Sequence, residues 1–198
     1  SEVFTCDPLA LPEIRNNPPD RCYWCKRKIF QTFLDVCRAR RIAHLLDGTN
    51  ADDGHVYRPG RRALKELGVL SPLASLGFTK QEIRKLSAER GLPTASKPSM
   101  PCLATRFEYG AELTPERIGQ AGRGEVFLRS LLPETADVRL RVQGKNARIE
   151  VPPASFELIL KNRAAIAETL HGLGFEFVTL DLEGYRSGCY DKNLTTEV

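Results

Sequence analysis

Two cysteines in the segment "RCYWCK" have the residue type and spacing from which a reactive or metal-binding site can be built. Asp20 is a suitable N-cap, so Cys22 and Cys25 are predicted to share one face of the first turn of a helix. The helix dipole and the adjacent Lys26 favour the thiolate there. Zinc sites, iron–sulfur clusters and dithiol redox centres all use this spacing, and two ordinary helix residues are the plain alternative.

A third cysteine, Cys102, lies in the irregular segment "MPCLATR" close to Arg106. We expect this segment to be a loop at the carboxyl edge of a sheet, where open α/β sheets form their ligand sites. Three cysteine ligands would leave one coordination position open, which suits chemistry better than a structural site. Cys6 or Cys189 is a candidate fourth ligand, whereas Cys37 is expected to pack inside the protein.

Oxygen-rich and arginine-rich segments supply candidate sites for an anionic ligand. Turns like "DGTNADD", residues 47–53, bind nucleotide phosphates, ribose or Mg²⁺, and a network of Asx turns is an equally good interpretation. The segments "YRPGRR" and "RLR" can bind phosphate or carboxylate. A pair of arginines nevertheless lies more often on a solvated face.

The composition narrows the class of protein. The 198 residues are 41% hydrophobic and 27% charged, as in an ordinary globular protein, and no apolar run is long enough to span a membrane. A net charge of +4 is mild and favours a small anionic molecule over nucleic acid as partner. Six cysteines without a secretory segment indicate a reducing, cytoplasmic location rather than a disulfide framework.

The order of predicted elements indicates an α/β fold. A helix over 21–40 precedes a buried strand "IAHLLD", a short helix at "RRALKEL" and a second buried strand "VLSPL". A helix capped by Thr79 and Glu82 and another opened by "LTPER" follow, which together suggest part of a doubly wound sheet. After residue 132 a β-hairpin, a helix near 153–172 and the strand "FEFVTLDL" predict a small α+β domain. We therefore expect domains at 1–132 and 133–198.

Several motifs together resemble those of the LarE family of ATP-dependent sulfur insertases. They are "NPPDRCYWCK", "DGTNADD", "YRPGRRAL", "SPL", "TKQEIRKLS", "KPSMPCLATRFEYG" and "DLEGYRSG", in the same order over nearly the whole chain. The resemblance implies a PP-loop ATP pyrophosphatase fold, which is Rossmann-like and of the adenine nucleotide alpha hydrolase type. It also implies thiolation of an adenylated carboxylate of pyridinium-3,5-biscarboxylic acid mononucleotide, using ATP and Mg²⁺, in biosynthesis of the nickel-pincer cofactor of lactate racemase.

The resemblance implies two routes for sulfur delivery. In one route Cys102 gives up its own sulfur through a covalent adduct and becomes dehydroalanine. In the other, Cys22, Cys25 and Cys102 hold a [4Fe-4S] cluster whose open iron carries an extra sulfide, and the presence of all three cysteines favours this route. A structural zinc site is the remaining interpretation of the trio.

The resemblance also assigns roles around the cysteines. Arg106, Arg139, Arg141 and Arg186 would bind the phosphate and carboxylates of a nucleotide-like substrate, and Glu125 would orient one of these arginines. Asp47, Asn50 and Asp53 would line the nucleotide side. The family forms homo-oligomers, commonly hexamers, through the carboxyl-terminal region.

One departure from the family pattern concerns ATP. The sequence has no "SGGxDS" loop to cradle the phosphates, and it begins at Ser1 in mid-pattern. We therefore expect that the sequence as given cannot activate ATP, either as a fragment, which we favour, or as a member that has lost the first half-reaction. Alternative functions are a tRNA-thiolating or amidating PP-loop enzyme, for which +4 is a modest charge, and a non-catalytic zinc-binding module.

Overall fold

The structure is a computed structural model that describes residues 2–55, 58–97, 100–134, 136–186 and 189–190. Its helices are α1 (Arg21–Ala39), α2 (Gly60–Glu66), α3 (Pro72–Ser75), α4 (Lys80–Glu89), α5 (Pro115–Ser130), α6 (Phe156–Lys161) and α7 (Arg163–Gly172), and its strands are β1 (Arg139–Gln143), β2 (Asn146–Glu150) and β3 (Phe177–Leu180). Short 3₁₀ helices cover Pro8–Ala10, Pro12–Ile14, Ala51–His55, Leu103–Arg106 and Pro153–Ser155. Parts of three quoted motifs lie outside the described residues, namely Tyr57, Pro98, Ser99, Ser187 and Gly188. Among the described helices, none is both long and apolar enough to cross a lipid bilayer.

The chain divides into two compact units. The first contains Ser1–Ile14 and Pro18–Lys97, and the second contains Arg15–Asn17 and Pro98–Lys192. This division falls earlier in the chain than the boundary expected after residue 132, because α5 packs against β1 and therefore belongs to the second unit. The functional names of the two expected domains stay predictions.

Local sequence signals set the helices of the first unit. Helix α1 follows Asp20 as expected, but the Asp20 carboxylate accepts a hydrogen bond from the Trp24 indole at 3.0 Å instead of capping the backbone. Thr79 and Glu82 form the predicted capping box at the start of α4. Helix α2 packs against α1 so closely that a Cβ at Gly60 would lie 2.8 Å from Cδ of Lys26.

The prediction of two buried strands in the first unit is wrong for the residues that the structure describes. Residues 42–47 and 69–73 contribute one isolated parallel bridge, between Leu46 and Leu70, whose side chains are 56% and 48% exposed. An apolar run becomes a buried strand only where neighbouring strands and helices cover it, and periodicity alone does not provide that cover. The mixed α/β character is confirmed, whereas a doubly wound sheet stays a prediction.

The second unit contains a three-stranded sheet in the order β1-β2-β3. The predicted hairpin is confirmed, with β1 antiparallel to β2, and β3 returns parallel to β2 after α6 and α7. One face of the sheet carries Leu140, Val142, Ala147 and Ile149, all of which are buried. Helix α5 packs on this face at Gly124, where a Cβ would lie 2.4 Å from Cδ2 of Leu140. This apolar layer is the core of the unit.

The opposite face of the sheet is charged and is also buried. Alternation along β1 predicts that Arg139 and Arg141 point to solvent, yet their side chains are only 2% and 6% exposed. The segment that follows β3 folds back toward this face, and the amide of Tyr185 donates to the carbonyl of Val151 at 3.1 Å. Gly184 permits this path because its φ is +73° and a Cβ there would lie 2.9 Å from the Val151 oxygen.

Candidate functional site

The cysteine pair lies where the sequence predicts it. Cys22 and Cys25 occupy the first turn of α1, where Cys22 is exposed and Cys25 is half-buried. The α1 dipole is positive at this end, and Lys26 adds a cation within the same turn. This turn of the first unit can therefore present two thiols to a ligand or a substrate.

Lys26 connects this turn to the "DGTNADD" segment through Asp47. Its Nζ lies 3.9 Å from Oδ2 of Asp47, whose side chain is only 7% exposed. Asp47 also accepts hydrogen bonds from the hydroxyls of Thr49 and, at 2.6 Å, of Ser71. Burial opposes ionisation of Asp47, but the hydrogen bonds from Ser71 and Thr49 and the charge of Lys26 outweigh it and hold the pKa below its ordinary value. Asp47 is therefore an ionised anchor between α1 and the loop.

Asn50 and Asp53 of the "DGTNADD" segment form Asx-type contacts within the loop, one of the two interpretations of this turn, while Asp52 accepts from the amide of Lys80 at 2.9 Å. Asn50 accepts from the amide of Asp52 at 3.0 Å, and Asp53 accepts from the amide of Asn50 at 3.2 Å. Asp53 also pairs with Arg58 at 3.0 Å. The loop is thus held in shape by its own side chains, and the predicted role of Asn50 and Asp53 in nucleotide binding stays a prediction.

Cys102 stands at the start of the 3₁₀ turn Leu103–Arg106 in the second unit, and its side chain is exposed. The Cys102 carbonyl accepts two hydrogen bonds from Thr105, at 3.0 Å from the amide and 2.7 Å from the hydroxyl. These bonds close the turn, and Cys102 remains exposed on it. The turn therefore offers an accessible thiol on a rigid backbone.

The same turn ends in a buried ion pair. Arg106 and Glu125 form two parallel hydrogen bonds, from Nε at 2.6 Å and from Nη2 at 2.8 Å, and both side chains are at most 5% exposed. Glu125 also accepts from the amide of Leu140 on β1 at 3.0 Å. A bidentate pair of this kind fixes both position and orientation, so it anchors the Cys102 turn to α5 and to the sheet.

The charged face of the sheet surrounds Glu150. Its Oε2 accepts from Nε of Arg141 at 2.9 Å and its Oε1 from Nη2 of Arg148 at 3.0 Å, while the Cys189 thiol lies 3.7 Å from Oε1. Arg141 further donates to the carbonyl of Thr105 at 2.6 Å, which joins this cluster to the Cys102 turn. Burial, with the Glu150 carboxylate and against the charges of Arg141 and Arg148, raises the pKa of the Cys189 thiol. Cys189 is therefore a neutral thiol at physiological pH.

Two tyrosines of the segment after β3 cover the arginines of β1. The Tyr185 ring lies 4.8 Å from the Arg139 guanidinium, and the Tyr190 ring lies 5.2 Å from that of Arg141. Arg139 also donates to the carbonyl of Val138 at 2.7 Å. Arg186 is about one-third exposed and pairs with Glu183. Arg139 and Arg141 are therefore held in place by protein groups rather than extended into solvent.

The predicted site residues fall into two groups, one in each unit. The first unit holds Cys22, Cys25, Asp47, Asn50 and Asp53, and the second holds Cys102, Arg106, Glu125, Arg139, Arg141 and Arg186. Among the described residues, no group of three or more His, Cys, Asp or Glu side chains is arranged to hold a metal ion. The three cysteines of the expected cluster are divided between the two units, so no reaction step is derived through a cluster and the cluster stays a prediction.

Sequence reasoning missed Glu150, Arg148, Tyr185 and Tyr190. Glu150 and Arg148 could have been found from the sequence. Side chains alternate along "ARIEV", and the hairpin register then places these two residues on the same face as Arg139 and Arg141. The tyrosines carry no such signal, since they reach the cluster from beyond β3.

No protein-family model matches the chain. The chain is 38% identical to pyridinium-3,5-bisthiocarboxylic acid mononucleotide synthase of Lactiplantibacillus plantarum over 191 residues. The matched region covers 96% of this chain and 68% of the synthase. The chain is also 40% identical over 196 residues to an uncharacterised protein of Synechocystis sp., covering 98% of this chain and 72% of that one. A third relative, an uncharacterised protein of Methanocaldococcus jannaschii, is 31% identical over 179 residues, which are 90% of this chain and 69% of the relative. The chain therefore belongs to the family of pyridinium-3,5-bisthiocarboxylic acid mononucleotide synthase, the LarE family.

Proposed function

We propose that this protein is a sulfur-transferring enzyme of nickel-pincer cofactor biosynthesis, which thiolates a carboxylate of pyridinium-3,5-biscarboxylic acid mononucleotide. The observation that carries the proposal is the 38% identity to the synthase over 96% of this chain. The exposed thiol of Cys102 on an anchored turn supports it, because such a thiol can reach a bound acyl group.

The proposed reaction begins with activation of the substrate, a step that we do not expect of the sequence as given because it has no "SGGxDS" loop. A substrate carboxylate oxygen attacks the α-phosphorus of ATP, pyrophosphate leaves, and an acyl adenylate results. Mg²⁺ would neutralise the phosphates, and Asp47, Asn50 and Asp53 are the residues we assign to the nucleotide side. Ionised Asp47, held by Ser71 and Lys26, keeps this loop beside the first turn of α1.

Sulfur transfer follows at Cys102. Its thiolate attacks the acyl carbon and AMP leaves with the electron pair of the broken C–O bond, so a thioester joins substrate and enzyme. Loss of the Cys102 α-proton then expels the thiocarboxylate from Cβ and leaves dehydroalanine, so no external oxidant or reductant is required. Each chain would act once by this route, whereas a cluster-bound sulfide would allow turnover.

Residues around Cys102 position the reactants. Arg106 donates to Glu125 from Nε and Nη2 and to Thr105 from Nη1, so in this proposal its main contribution is to hold the turn. Arg139, Arg141 and Arg186 are assigned to the anionic groups of the substrate. Because Arg141 bonds to the Thr105 carbonyl, an anion held beside Arg141 would lie next to the Cys102 turn.

The test compares wild type with Cys102→Ser and Cys22→Ser after anaerobic purification, with Cys37→Ser, a cysteine outside the predicted site, as a matched control. Each protein receives the biscarboxylate mononucleotide with ATP and Mg²⁺, and in parallel the pre-formed adenylate, which separates activation from sulfur transfer. Mass spectrometry measures the thiocarboxylate product and the loss of one H₂S from the peptide that contains Cys102. Iron and acid-labile sulfide are measured on the same samples.

Cys102→Ser is expected to abolish product formation from the pre-formed adenylate, and Cys37→Ser to preserve it. Thiolation by Cys102→Ser would refute the assignment of Cys102 by either route. If Cys22→Ser keeps single-turnover transfer and the Cys102 peptide loses H₂S, the sulfur comes from Cys102. If Cys22→Ser loses iron, sulfide and activity together, the sulfur comes from a cluster.

A further inference from the structure

One asparagine of the segment that precedes α1 is buried in the second unit. Asn17 is 0% exposed, and Arg15–Asn17 belong to the second unit although the residues before and after them belong to the first. The amide of Leu113 donates to the Arg15 carbonyl at 2.7 Å, and the amide of Gly110 donates to the Asn17 carbonyl at 3.4 Å. Backbone bonds therefore hold this short segment against the stretch of chain that precedes α5.

The side chain of Asn17 donates to two consecutive backbone carbonyls. Its Nδ2 lies 3.0 Å from the carbonyl oxygen of Phe107 and 2.8 Å from that of Glu108. The amide group has two N–H donors, so both are used. Its orientation is fixed as well, because the reverse orientation would bring Oδ1 against two carbonyl oxygens. Asn17 therefore fastens the backbone directly after Arg106, the last residue of the Cys102 turn.

Two other features of Asn17 are unfavourable. Its Oδ1 is buried and has no hydrogen-bond partner among the described residues, and its φ is +45°. Asparagine tolerates this region better than most residues do, but Pro18 biases the residue before it towards extended conformations. Such features persist where the surrounding structure holds them, and they are concentrated at functional sites. The two hydrogen bonds from Nδ2 are the stabilising contacts that offset them.

The backbone that Asn17 holds is continuous with the Cys102 turn. Phe107 is 1% exposed, its amide donates to the carbonyl of Ala104 inside the turn at 3.3 Å, and it forms a parallel bridge with β1. The residue before it is fixed by the buried ion pair with α5. The end of the turn is therefore held both by α5 and by Asn17. Because the turn is short, a shift of its end moves the exposed thiol at its start.

We propose that Asn17 is a positioning residue for sulfur transfer, which holds the Cys102 turn so that the thiol meets the acyl carbon of the substrate. This inference rests on the proposed function and adds a residue to which the resemblance assigns no role. Asn17 would act through the backbone of the turn, without touching a reacting atom. A misplacement of about 1 Å can lower the rate of a reaction between two bound groups by about a hundredfold. Loss of the Asn17 donors should therefore slow transfer and leave substrate binding intact.

Two variants remove the donors in different ways. Asn17→Asp has nearly the same shape but places a carboxylate oxygen against the two carbonyls. Asn17→Gly deletes the side chain together with the unpartnered oxygen, and glycine accepts the positive φ, so this variant decides the question if Asn17→Asp does not fold. The matched control is Asn16→Asp, the same chemical change at the exposed neighbouring residue.

Three quantities are measured on each protein. Formation of the thiocarboxylate from the pre-formed adenylate gives the single-turnover rate constant of sulfur transfer. Calorimetry gives the affinity for the biscarboxylate mononucleotide in the absence of ATP. Hydrogen exchange followed by NMR gives the protection of the Thr105 and Phe107 amides, which bond inside the Cys102 turn, with the amides of the β1–β2 hairpin as the reference.

Asn17→Asp and Asn17→Gly are each expected to slow transfer by about tenfold or more, while the affinity changes by less than about twofold. Exchange of the Thr105 and Phe107 amides should become about tenfold faster, and exchange in the hairpin should stay the same. Asn16→Asp should match wild type in all three measurements. A folded Asn17 variant that transfers sulfur at the wild-type rate would overturn the inference. So would a loss of affinity as large as the loss of rate, or faster exchange that extends equally to the hairpin.

Hydrogen exchange also separates this inference from the proposed function. If wild type transfers no sulfur from the adenylate, the proposed function fails. Loss of protection confined to Thr105 and Phe107 in Asn17→Gly would then still support the role of Asn17 in holding the turn. Unchanged protection of these two amides in that variant would overturn the inference, with or without sulfur transfer by wild type.

Discussion

The buried pair between Arg106 and Glu125 gives the sharpest prediction for the second unit. In Glu125→Gln the remaining side-chain oxygen can still accept from the amide of Leu140 and from Arg106 Nε. The other oxygen becomes an NH₂ group, which faces the Nη2 donor of Arg106 and cannot accept from it. One charge-assisted hydrogen bond of about 1.5–3 kcal/mol is lost, and Arg106 is left buried without a counter-charge. Breaking a buried pair from one side costs about 3–5 kcal/mol, so we expect the free energy of unfolding to fall by that amount. Urea unfolding followed by circular dichroism measures it.

Two further variants decide whether the buried charge is the cause. Arg106→Met combined with Glu125→Gln removes the cation and keeps the acceptor for Leu140, so it should recover most of the lost stability. Glu112→Gln, at an exposed position, should change the free energy of unfolding by at most about 0.5 kcal/mol. A Glu125→Gln protein within about 0.5 kcal/mol of wild type would refute the reasoning, as would a double variant no more stable than the single one.

Two other predictions concern stability elsewhere in the chain. Because the pKa of Asp47 is lowered in the folded state, its carboxylate stabilises the protein above the ordinary aspartate pKa of about 3.9, and that stability is lost as the pH falls through the folded pKa. The difference in unfolding free energy between wild type and Asp47→Asn should therefore be largest near neutral pH and shrink in acid, and a difference that stays constant with pH would contradict this. Gly124→Ala should destabilise by about 1–3 kcal/mol, because its Cβ would lie 2.4 Å from Leu140 and 3.0 Å from Leu170. Gly172→Ala has nothing within 4 Å of its Cβ, so thermal unfolding should show no comparable loss, and equal effects at both glycines would contradict the packing argument.

The parts of the fold that sequence predicts are those determined by residues close together in the chain. The helix after Asp20, the capping box of Thr79 and Glu82, and the hairpin closed at Gly144 each depend on a few consecutive residues. The position of Cys102 in an irregular turn belongs to the same class, since neighbouring prolines exclude a longer element. These features needed no knowledge of tertiary structure.

The failed strand predictions show where local pattern stops being sufficient. The runs around Leu46 and Leu70 are apolar enough for a buried strand, yet the described residues give them one bridge and leave both side chains about half exposed. Whether a segment is buried depends on what packs against it, and the sequence of the segment alone does not determine that. The extent of the second unit likewise depends on tertiary contact, because α5 joins this unit through its contact with β1.

Arg139 and Arg141 are buried because residues distant in the chain pack on them. Part of this result could have been inferred from the sequence through the hairpin register. Once the hairpin is accepted, its register places Arg139 opposite Glu150 and Arg141 opposite Arg148. That face then carries three arginines and one glutamate on adjacent strands, an imbalance that cross-strand pairing cannot remove. A solvated surface would tolerate it through water and counter-ions. A buried layer needs aromatic cover or further carboxylates, and here the rings of Tyr185 and Tyr190 and the carboxylate of Asp181, all from beyond the hairpin, provide both.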